Sequence, residues 1–393
     1  MLLDFRFKNF RSFRDETRLC LVKPDYKHDL KDGVHVVSAI YGANASGKTN
    51  VTNAFAIMRG SVLGNSSKNS ADPMAYQPFA FDENDEPYLS EVTFSIGEII
   101  YRYGFLVSKT EVLGEWLFRY DDFVSFVSNR ERKIFTRGGG EVEGELAGEL
   151  LPLLPKTRAN MFLLVKLDQE NELLARQIME WFKNLTVLKA FSDTQMYGYS
   201  HEHILQQSHK DRMMELIRFA DPTIVSVAER QLTMPDPRTG QAPVQVEFVR
   251  NNISGSKLIS LPFEEYESAG TQKMFCMSGP FVDIIKNGYT VIVDELDAKF
   301  HPLLTRKIVG QFTNPEINLN AAQLIMTTHD VELIRAGVVK QDQVRFCDKN
   351  EAGVSAMYSL DDFAIVRKIG AEDVARKYLE GVFGAVPGFT INI

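Results

Sequence analysis

The run IYGANASGKTN, Ile40 to Asn50, sets Gly42, Gly47, Lys48 and Thr49 in the spacing G-x-x-x-x-G-K-[ST]. Residues of those types at that spacing suit the holding of a polyphosphate. Backbone N–H groups wrap phosphate oxygens, the lysine carries a positive charge to the β- and γ-phosphates, and the threonine hydroxyl reaches a Mg²⁺ ion. Asn44, Ser46 and Asn50 complete the candidate binding set. An ordinary glycine-rich turn is the rival reading, and the flanking pattern decides against it. Val36 to Tyr41 reads as a buried strand entering the loop. Val51, Ala54, Phe55 and Met58 then fall at helical spacing, with Gly60 as the expected stop. That order of strand, loop and helix turns a helix N-terminus towards the phosphates.

Three further runs carry chemistry. In TVIVDELDAKFHP, Thr290 to Pro302, four apolar residues end in Asp294 and Glu295, as in a buried parallel strand whose carboxyl end faces a ligand. Asp294 is placed to hold the Mg²⁺ shell, and Glu295 to polarise a water for in-line attack on a γ-phosphate. An acidic strand end at the surface is the bland alternative, and the matched loop outweighs it. MTTHD ends the next strand with His329 at its tip, a candidate γ-phosphate sensor. A lone histidine there is more often a helix-start or core residue. Asp330 reads as a cap for the helix that follows. In EYESAGTQKMF, Ser268, Gly270 and Thr271 stand at the start of a helix. A plain serine N-cap accounts for them taken alone. Beside the other runs they read as a second phosphate-binding edge, one that serves another subunit.

The elements that must position these residues follow from periodicity. LLDFRFKNF alternates Leu3, Phe5 and Phe7 with Asp4, Arg6 and Lys8, the pattern of a half-buried strand. Gly64 to Pro87 is rich in Ser, Asn, Asp and Pro and reads as irregular loop. A hairpin follows, with Gly97-Glu98 as its turn, and short strands continue to Phe135, ended by a flexible RGGGEVEGE. Leu146 to Phe219 is helical in pattern, without heptads sustained enough for a coiled-coil arm. Strands return at VQVEFVR and KLISLPFEEY, and from Phe275 to Phe346 helix and strand alternate as parallel βαβ units. Lys48 and Asp294 lie roughly 240 residues apart, far more than one βαβ unit needs. The expectation is an α/β nucleotide-binding core split by a long mixed insertion.

Composition bounds the rest. With 44% apolar residues and 27 Phe among 393 residues, the chain has ample core for two or three domains, or for one domain with a large insertion. A net charge of −8 argues against a generally basic nucleic-acid binder. Cys20, Cys276 and Cys347 are far apart and odd in number, which points away from a disulfide framework and towards a reducing cytoplasm. No run is apolar for long enough to suggest a signal peptide or a membrane span.

Gly42 to Thr49, Ser268 to Thr271, VIVDE and His329, in this order, resemble the ABC/SMC-type ATPases. With KNFRSFRDE, DELDAKFHP and YLEGVFGAVP (Tyr378 to Pro387), the chain is more closely similar to the compact bacterial AAA ATPases of the RloA/AbiLi group, related to the ATPase half of OLD-family nucleases. The likeness covers both ends of the chain well and residues from about 110 to 260 poorly. It implies a P-loop ABC-type ATPase head with an antiparallel β lobe and an inserted mixed helical and β region. Residues 1–110 would form the N-terminal part of the core, 111–262 the insertion, and 263–393 the C-terminal part with signature, Walker B strand and histidine switch. ATP and Mg²⁺ are the implied ligands. Glu295, His329 and Lys48 are the implied catalytic set, and Thr49, Asp294 and a glutamine, for which Gln77 is the candidate, the metal set.

The resemblance also implies a homodimer or higher homo-oligomer that sandwiches two nucleotides. Gly42 to Thr49 of one subunit would meet Ser268 to Thr271 of the other, so that binding favours closure and hydrolysis releases it. Groups of this kind occur in bacterial anti-phage defence and abortive infection, beside a separate effector protein such as a nuclease. The signature departs from the Leu-Ser-Gly-Gly-Gln of transporters, reading Ser-Ala-Gly-Thr-Gln. About 64 residues follow His329, short for an appended nuclease domain. Two rivals stand beside this reading. One is a scaffold that ATP merely holds together. The other is a stand-alone RecF-like repair ATPase with DNA as partner, which Arg130, Arg132, Lys133 and Arg137 favour; a solvated hairpin edge is the plainer account of that run.

Overall fold

The structure, a computed structural model, describes residues 1–24, 28–82, 85–189, 196–231, 244–366 and 369–387. Leaving single-turn helices aside, the chain opens with β1 (Leu2–Lys8), β2 (Thr17–Cys20) and β3 (Val37–Tyr41), and α1 (Lys48–Gly64) follows the glycine loop. Next come β4 (Tyr88–Ile96), β5 (Ile99–Val107), β6 (Val112–Tyr120), β7 (Arg132–Gly138) and β8 (Glu141–Glu143). The middle holds α2 (Leu163–Gln169), α3 (Leu173–Asn184), β9 (Thr186–Leu188), α4 (Tyr197–Ile204) and α5 (Gln207–Ala220). Then follow β10 (Ile224–Gln231), β11 (Val244–Asn251), β12 (Leu258–Pro262) and α6 (Ala269–Asn287). The last part contains β13 (Thr290–Val293), α7 (Pro302–Thr313), β14 (Gln323–Thr327), β15 (Val344–Lys349), β16 (Ser355–Ser359) and α8 (Ala371–Leu379).

The sheet that carries the candidate site runs β16-β15-β3-β14-β13-β9, parallel throughout except for β16. Its register sets Ile40 beside Thr327 and Met326 beside Val293, so the loops leaving β3, β13 and β14 gather at one edge. Alternate residues face two cores. Ile40, Ile292, Ile325 and Cys347 pack with α1 and the antiparallel lobe. Tyr41, Val291, Val293, Leu324, Met326 and Phe346 pack with residues of α6, α7 and α8. Both faces are covered, which is why these strands read as unbroken apolar runs.

The antiparallel lobe runs β2-β1-β4-β5-β6-β7-β8. With one departure at Asp4, β1 is half-buried as its alternation suggests, Leu3, Phe5 and Phe7 being buried and Arg6 and Lys8 partly exposed. It lies between β2 and β4, and Asp4 is 3% exposed. Arg18 Nε donates to both Asp4 oxygens at 2.9 Å and Arg6 Nε to one at 3.1 Å, so the buried carboxylate is paired. RGGGEVEGE forms a hairpin rather than a flexible end, because Gly139 and Gly140 adopt φ of 57° and 85° and make a tight primed turn into β8. Helix α1 runs past Gly60 to Gly64; an interior glycine costs only about 1 kcal/mol against alanine.

The expected boundary near residue 110 falls inside one sheet, since β6 pairs with β5 from Tyr120 opposite Ile100 to Val112 opposite Val107. β9, also within the expected insertion, pairs with β13 in the core sheet. Fully buried Glu115 on β6 ties the lobe to α2 by accepting from Leu163 N at 2.6 Å, Leu164 N at 3.0 Å and the Tyr103 hydroxyl at 2.9 Å. Among the described residues, no helix is long and apolar enough to cross a membrane.

Candidate functional site

The loop between β3 and α1 is shaped by two glycines. A Cβ on Gly42 would lie 2.4 Å from the Cys347 carbonyl oxygen and 2.6 Å from Ser46 Oγ. One on Gly47, at φ 120°, would lie 2.7 Å from Ser355 Oγ. Helix α1 starts at Gly47 with no side-chain cap, so its first amides are left for another acceptor. Lys48 is buried and folded back, its Nζ donating to the carbonyls of Gly42 at 2.8 Å and Ala43 at 2.9 Å. Burial pushes its pKa down, while Cys347, Glu295 and Asp294 pull the other way. Ser46 Oγ is buried and has no hydrogen-bond partner among the described residues. Asn44 and Thr49 are exposed.

A small hydroxyl network braces this loop from behind. Ser355 Oγ donates to the Ser46 carbonyl at 2.7 Å and so accepts from Ser12 Oγ at 2.8 Å, while Asn50 Nδ2 donates to the same Ser12 oxygen at 2.8 Å. Arg11 Nη1 approaches Asn50 Oδ1 at 3.3 Å, and its Nε donates to Gln77 Oε1 at 2.7 Å. Gln77 is therefore joined to the loop through Arg11 and Asn50.

The two motifs that sequence places furthest apart meet at Asp294. This residue is 4% exposed at the end of β13, and its Oδ1 accepts from Thr327 Oγ1 at 2.7 Å and Thr49 Oγ1 at 3.4 Å. Glu295 N donates to Thr327 Oγ1 at 2.7 Å, and Glu295 itself adopts a left-handed φ of 49°. Among the described residues no side-chain hydrogen bond holds the Glu295 carboxylate, which is close enough to Lys48 and His329 to act on the charge of both. His329 is anchored through its backbone, N–H donating to Asp297 at 3.3 and 3.2 Å. Burial, then the Lys48 charge, lowers its pKa and keeps the ring neutral near pH 7. Asp330 stands one residue before the N-cap position, Val331, and accepts from Glu332 N at 3.0 Å.

Ser268 lies apart from this cluster. It is exposed, and its hydroxyl accepts from Thr271 N at 3.1 Å and pairs with Thr271 Oγ1 at 2.9 Å. Gly270 permits close packing, since a Cβ there would lie 2.9 Å from the Lys299 carbonyl oxygen. One turn on, buried Lys273 donates to the carbonyls of Ala298 at 2.7 Å, Leu296 at 3.1 Å and Glu295 at 3.3 Å. The start of α6 is thus fastened to the loop that follows Asp294 and Glu295.

The model of the AAA_21 family, an AbiEii-type AAA domain associated with type IV TA systems, matches residues 37–335. The chain belongs to this family. Its match spans the glycine loop, Asp294 and His329 together, and the fold is that of a P-loop ATPase. Among solved structures, the Smc head domain from Pyrococcus furiosus, with an extended coiled coil and bound to the C-terminal domain of ScpA, is similar over 97% of this chain and 99% of its own. At 14% identity and a TM-score of 0.40 that likeness carries no argument. No curated protein matches.

As an AbiEii-type AAA domain, the chain has a loop that fits a nucleoside triphosphate with Mg²⁺. The fit is seen in the glycine cradle that a Cβ would fill, the unpartnered buried Ser46 hydroxyl, and the Thr49 and Asp294 oxygens side by side. Several residues of the site carry no role in the motif reading. Arg11 and Ser12 lie in KNFRSFRDE and Asp297 in DELDAKFHP, so the signal for them was a family run without assigned chemistry. Thr327 lies in MTTHD and Lys273 in EYESAGTQKMF, again without an assigned role, and Ser355 had no signal, because a serine starting a strand is an ordinary pattern.

Proposed function

We propose that this AAA domain is a Mg²⁺-dependent ATPase whose nucleotide-driven dimerisation gates a separate effector, a nuclease by class, in bacterial anti-phage defence. The observation that carries the reading is the 3.4 Å approach of Thr49 Oγ1 to Asp294 Oδ1, with Thr327 orienting that same oxygen. Thr49 and Asp294 would hold Mg²⁺, with Gln77 as a third contact. The ion would neutralise charge on the β- and γ-phosphates. Gly42 to Thr49, with Asn44, Ser46 and Asn50, would bind the phosphates. Lys48 must exchange its two carbonyl partners for phosphate oxygens, a swap that its partial desolvation favours. Glu295 would orient and deprotonate the attacking water, and neutral His329 would report the γ-phosphate. Ser268, Gly270 and Thr271 would complete the site of the opposing subunit.

The membership in an AbiEii-type family supports a defence role, and the exposure of Ser268 supports a shared site. Affiliation with the RloA/AbiLi group belongs to this same proposal. The repair-ATPase reading draws less from the structure. Arg132 is paired with Glu145 at 2.9 Å and Lys133 with Glu143 at 2.8 Å, and Arg137 donates to the Met161 carbonyl. Three of the four residues of its basic run are thus engaged within the chain.

Glu295→Gln tests the assignment. The variant is expected to bind ATP with unchanged affinity, to lose roughly 10²–10⁴-fold in turnover, and to accumulate as a closed dimer by light scattering. Wild-type turnover would remove Glu295 from the mechanism. An ATP-held scaffold predicts instead that effector activity stays at the wild-type level when turnover is lost.

A further inference from the structure

Away from the phosphate loop, three ligand-type side chains from three helices converge. His203 lies in the last turn of α4, His209 in the first turn of α5, and Asp283 on α6. Their ligand atoms all lie within 4.8 Å of one another. His209 Nε2 is 2.9 Å from Asp283 Oδ1, and His203 Nε2 is 3.4 Å from Asp283 Oδ2. Neighbouring ligands on a tetrahedral zinc ion, with bonds of about 2.0 Å, stand roughly 3.3 Å apart.

The outer contacts orient the rings. His203 Nδ1 is 2.8 Å from the Tyr199 carbonyl oxygen. A carbonyl only accepts, so Nδ1 carries the proton, and in the neutral ring Nε2 presents a bare lone pair to a carboxylate oxygen. Two acceptors face to face repel unless a cation lies between them, either a second proton or a metal ion. A backbone carbonyl on the far ring nitrogen is the partner by which metal-bound imidazoles are held in register. His209 Nδ1 has Ser208 Oγ at 2.9 Å in the corresponding place. Tyr199 stacks on His203 with centroids 4.0 Å apart and donates its hydroxyl to Asp283 Oδ2. Among the described residues neither lysine nor arginine pairs with Asp283.

The backbone beneath is already set for close approach. Ser200 Oγ donates to the Cys276 carbonyl at 2.8 Å, and a Cβ on Gly279 would lie 2.8 Å from Ser200 Oγ, so α4 and α6 approach closely at Ser200 and Gly279. The three ligands are also partly sheltered, His209 at 8% and His203 at 17% exposed, which leaves an entry path on one side.

We infer that His203, His209 and Asp283 form a binding site for a divalent transition-metal ion of the Zn²⁺ class, with a fourth position open to water. Two imidazoles and one carboxylate select such an ion over Mg²⁺, which takes oxygen ligands. The site is separate from the Thr49 and Asp294 pair. It would pin α4 and α5 to α6, the helix that starts at Ser268 roughly four turns away.

Zinc alone, added to full-length protein stripped with a chelator and kept free of nucleotide, tests this by calorimetry. One ion per chain is expected. His203→Gln and His209→Gln are each expected to weaken binding about 10- to 100-fold or more while keeping the wild-type circular dichroism. Asp294→Asn should leave that binding intact, which separates it from adventitious zinc at the phosphate loop. A proton-bridged His–Asp pair predicts no saturable zinc binding, and that result overturns the site. Equal zinc affinity in wild type and in both histidine variants overturns it as well. Should His209→Gln alter the fold, the more exposed His203→Gln decides the matter.

Discussion

Helices α1 and α6 both begin where the proposed mechanism needs a phosphate, yet their first turns are built in opposite ways. At α1 the N-cap is Gly47, which offers no side chain and is itself packed against Ser355. At α6 the N-cap is Ser268, which satisfies Thr271 N itself and stands exposed. An uncapped helix start leaves amides that an anion can complete, whereas a self-capped start is stable without one. The difference teaches how one site can be divided between two chains. On the proposed reading, the half that would hold the nucleotide is incomplete alone, and the half that would sense it stands at the surface with its own hydrogen bonds made. Predictions follow from pressing on each half in turn.

Lys48→Ala should produce the largest effect. It removes the cation of the phosphate loop itself, and loss of charge-assisted hydrogen bonds worth about 1.5–3 kcal/mol each would take ATP affinity below detection by calorimetry. Retained affinity would show that the α1 half does not depend on its lysine.

Ser268→Arg comes next and should separate binding from turnover. Each subunit is expected to bind ATP normally, while the bulky cation blocks the opposing loop and stops hydrolysis. Mixed with Lys48→Ala, it should recover part of the activity. A dimer of the two variants pairs the intact loop of the first chain with the intact Ser268 of the second. Full activity of Ser268→Arg as a monomer would end the two-subunit reading and leave α6 a plain helix start. In that case Ser268→Ala would cost only about 0.5–2 kcal/mol of stability.

Smaller still is the effect of the brace. Ser355→Ala leaves the Ser46 carbonyl without its hydroxyl donor and the Ser12 hydroxyl without its acceptor. An unsatisfied buried group costs about 1–3 kcal/mol, so chemical denaturation should show a loss of that size, with ATP affinity reduced several-fold. Ser268→Ala at the exposed start should lower stability without touching affinity. Equal effects on affinity would erase the contrast between the two helix starts.

What was legible in the sequence follows the same division. The glycine loop and the acidic end of β13 were legible as a motif spacing and a strand pattern, and the structure brings Thr49 and Asp294 of the two runs together. The brace was not, since Ser12 and Ser355 act only through a fold that joins residues 343 apart in sequence. β9 escaped for a different reason. Its three residues have too few alternations to mark a strand, and the pairing with β13 supplies what periodicity does not. In β1 the alternation holds for Arg6 and Lys8 and fails at Asp4, because arginines from its own face and from β2 neutralise that carboxylate, so a charged position is also a buried one. Ser268 remains the hardest to read, because a cap and a signature use the same atoms.

His329 offers the finest test, because it reports the charge of the α1 half without taking part in α6. Burial and Lys48 lower its pKa below the ordinary 6.5, with Asp297 and Glu295 opposing. The fold therefore favours the neutral ring, and the stability tied to it is fully present above about pH 6.5. That stability is lost as pH falls through the depressed value. Lys48→Ala removes one of the two depressing causes, so the His329 titration should move up towards 6.5 and the acid-side loss should narrow. Ser268→Arg in the nucleotide-free monomer should leave the titration where it was. Proton NMR across pH 4 to 8, with His329→Gln to assign the resonance, reads both variants. An unmoved titration in Lys48→Ala would mean that the folded-back lysine does not act on His329, and the histidine would then report only its burial. Movement in Ser268→Arg would mean that the two helix starts are already coupled within one chain.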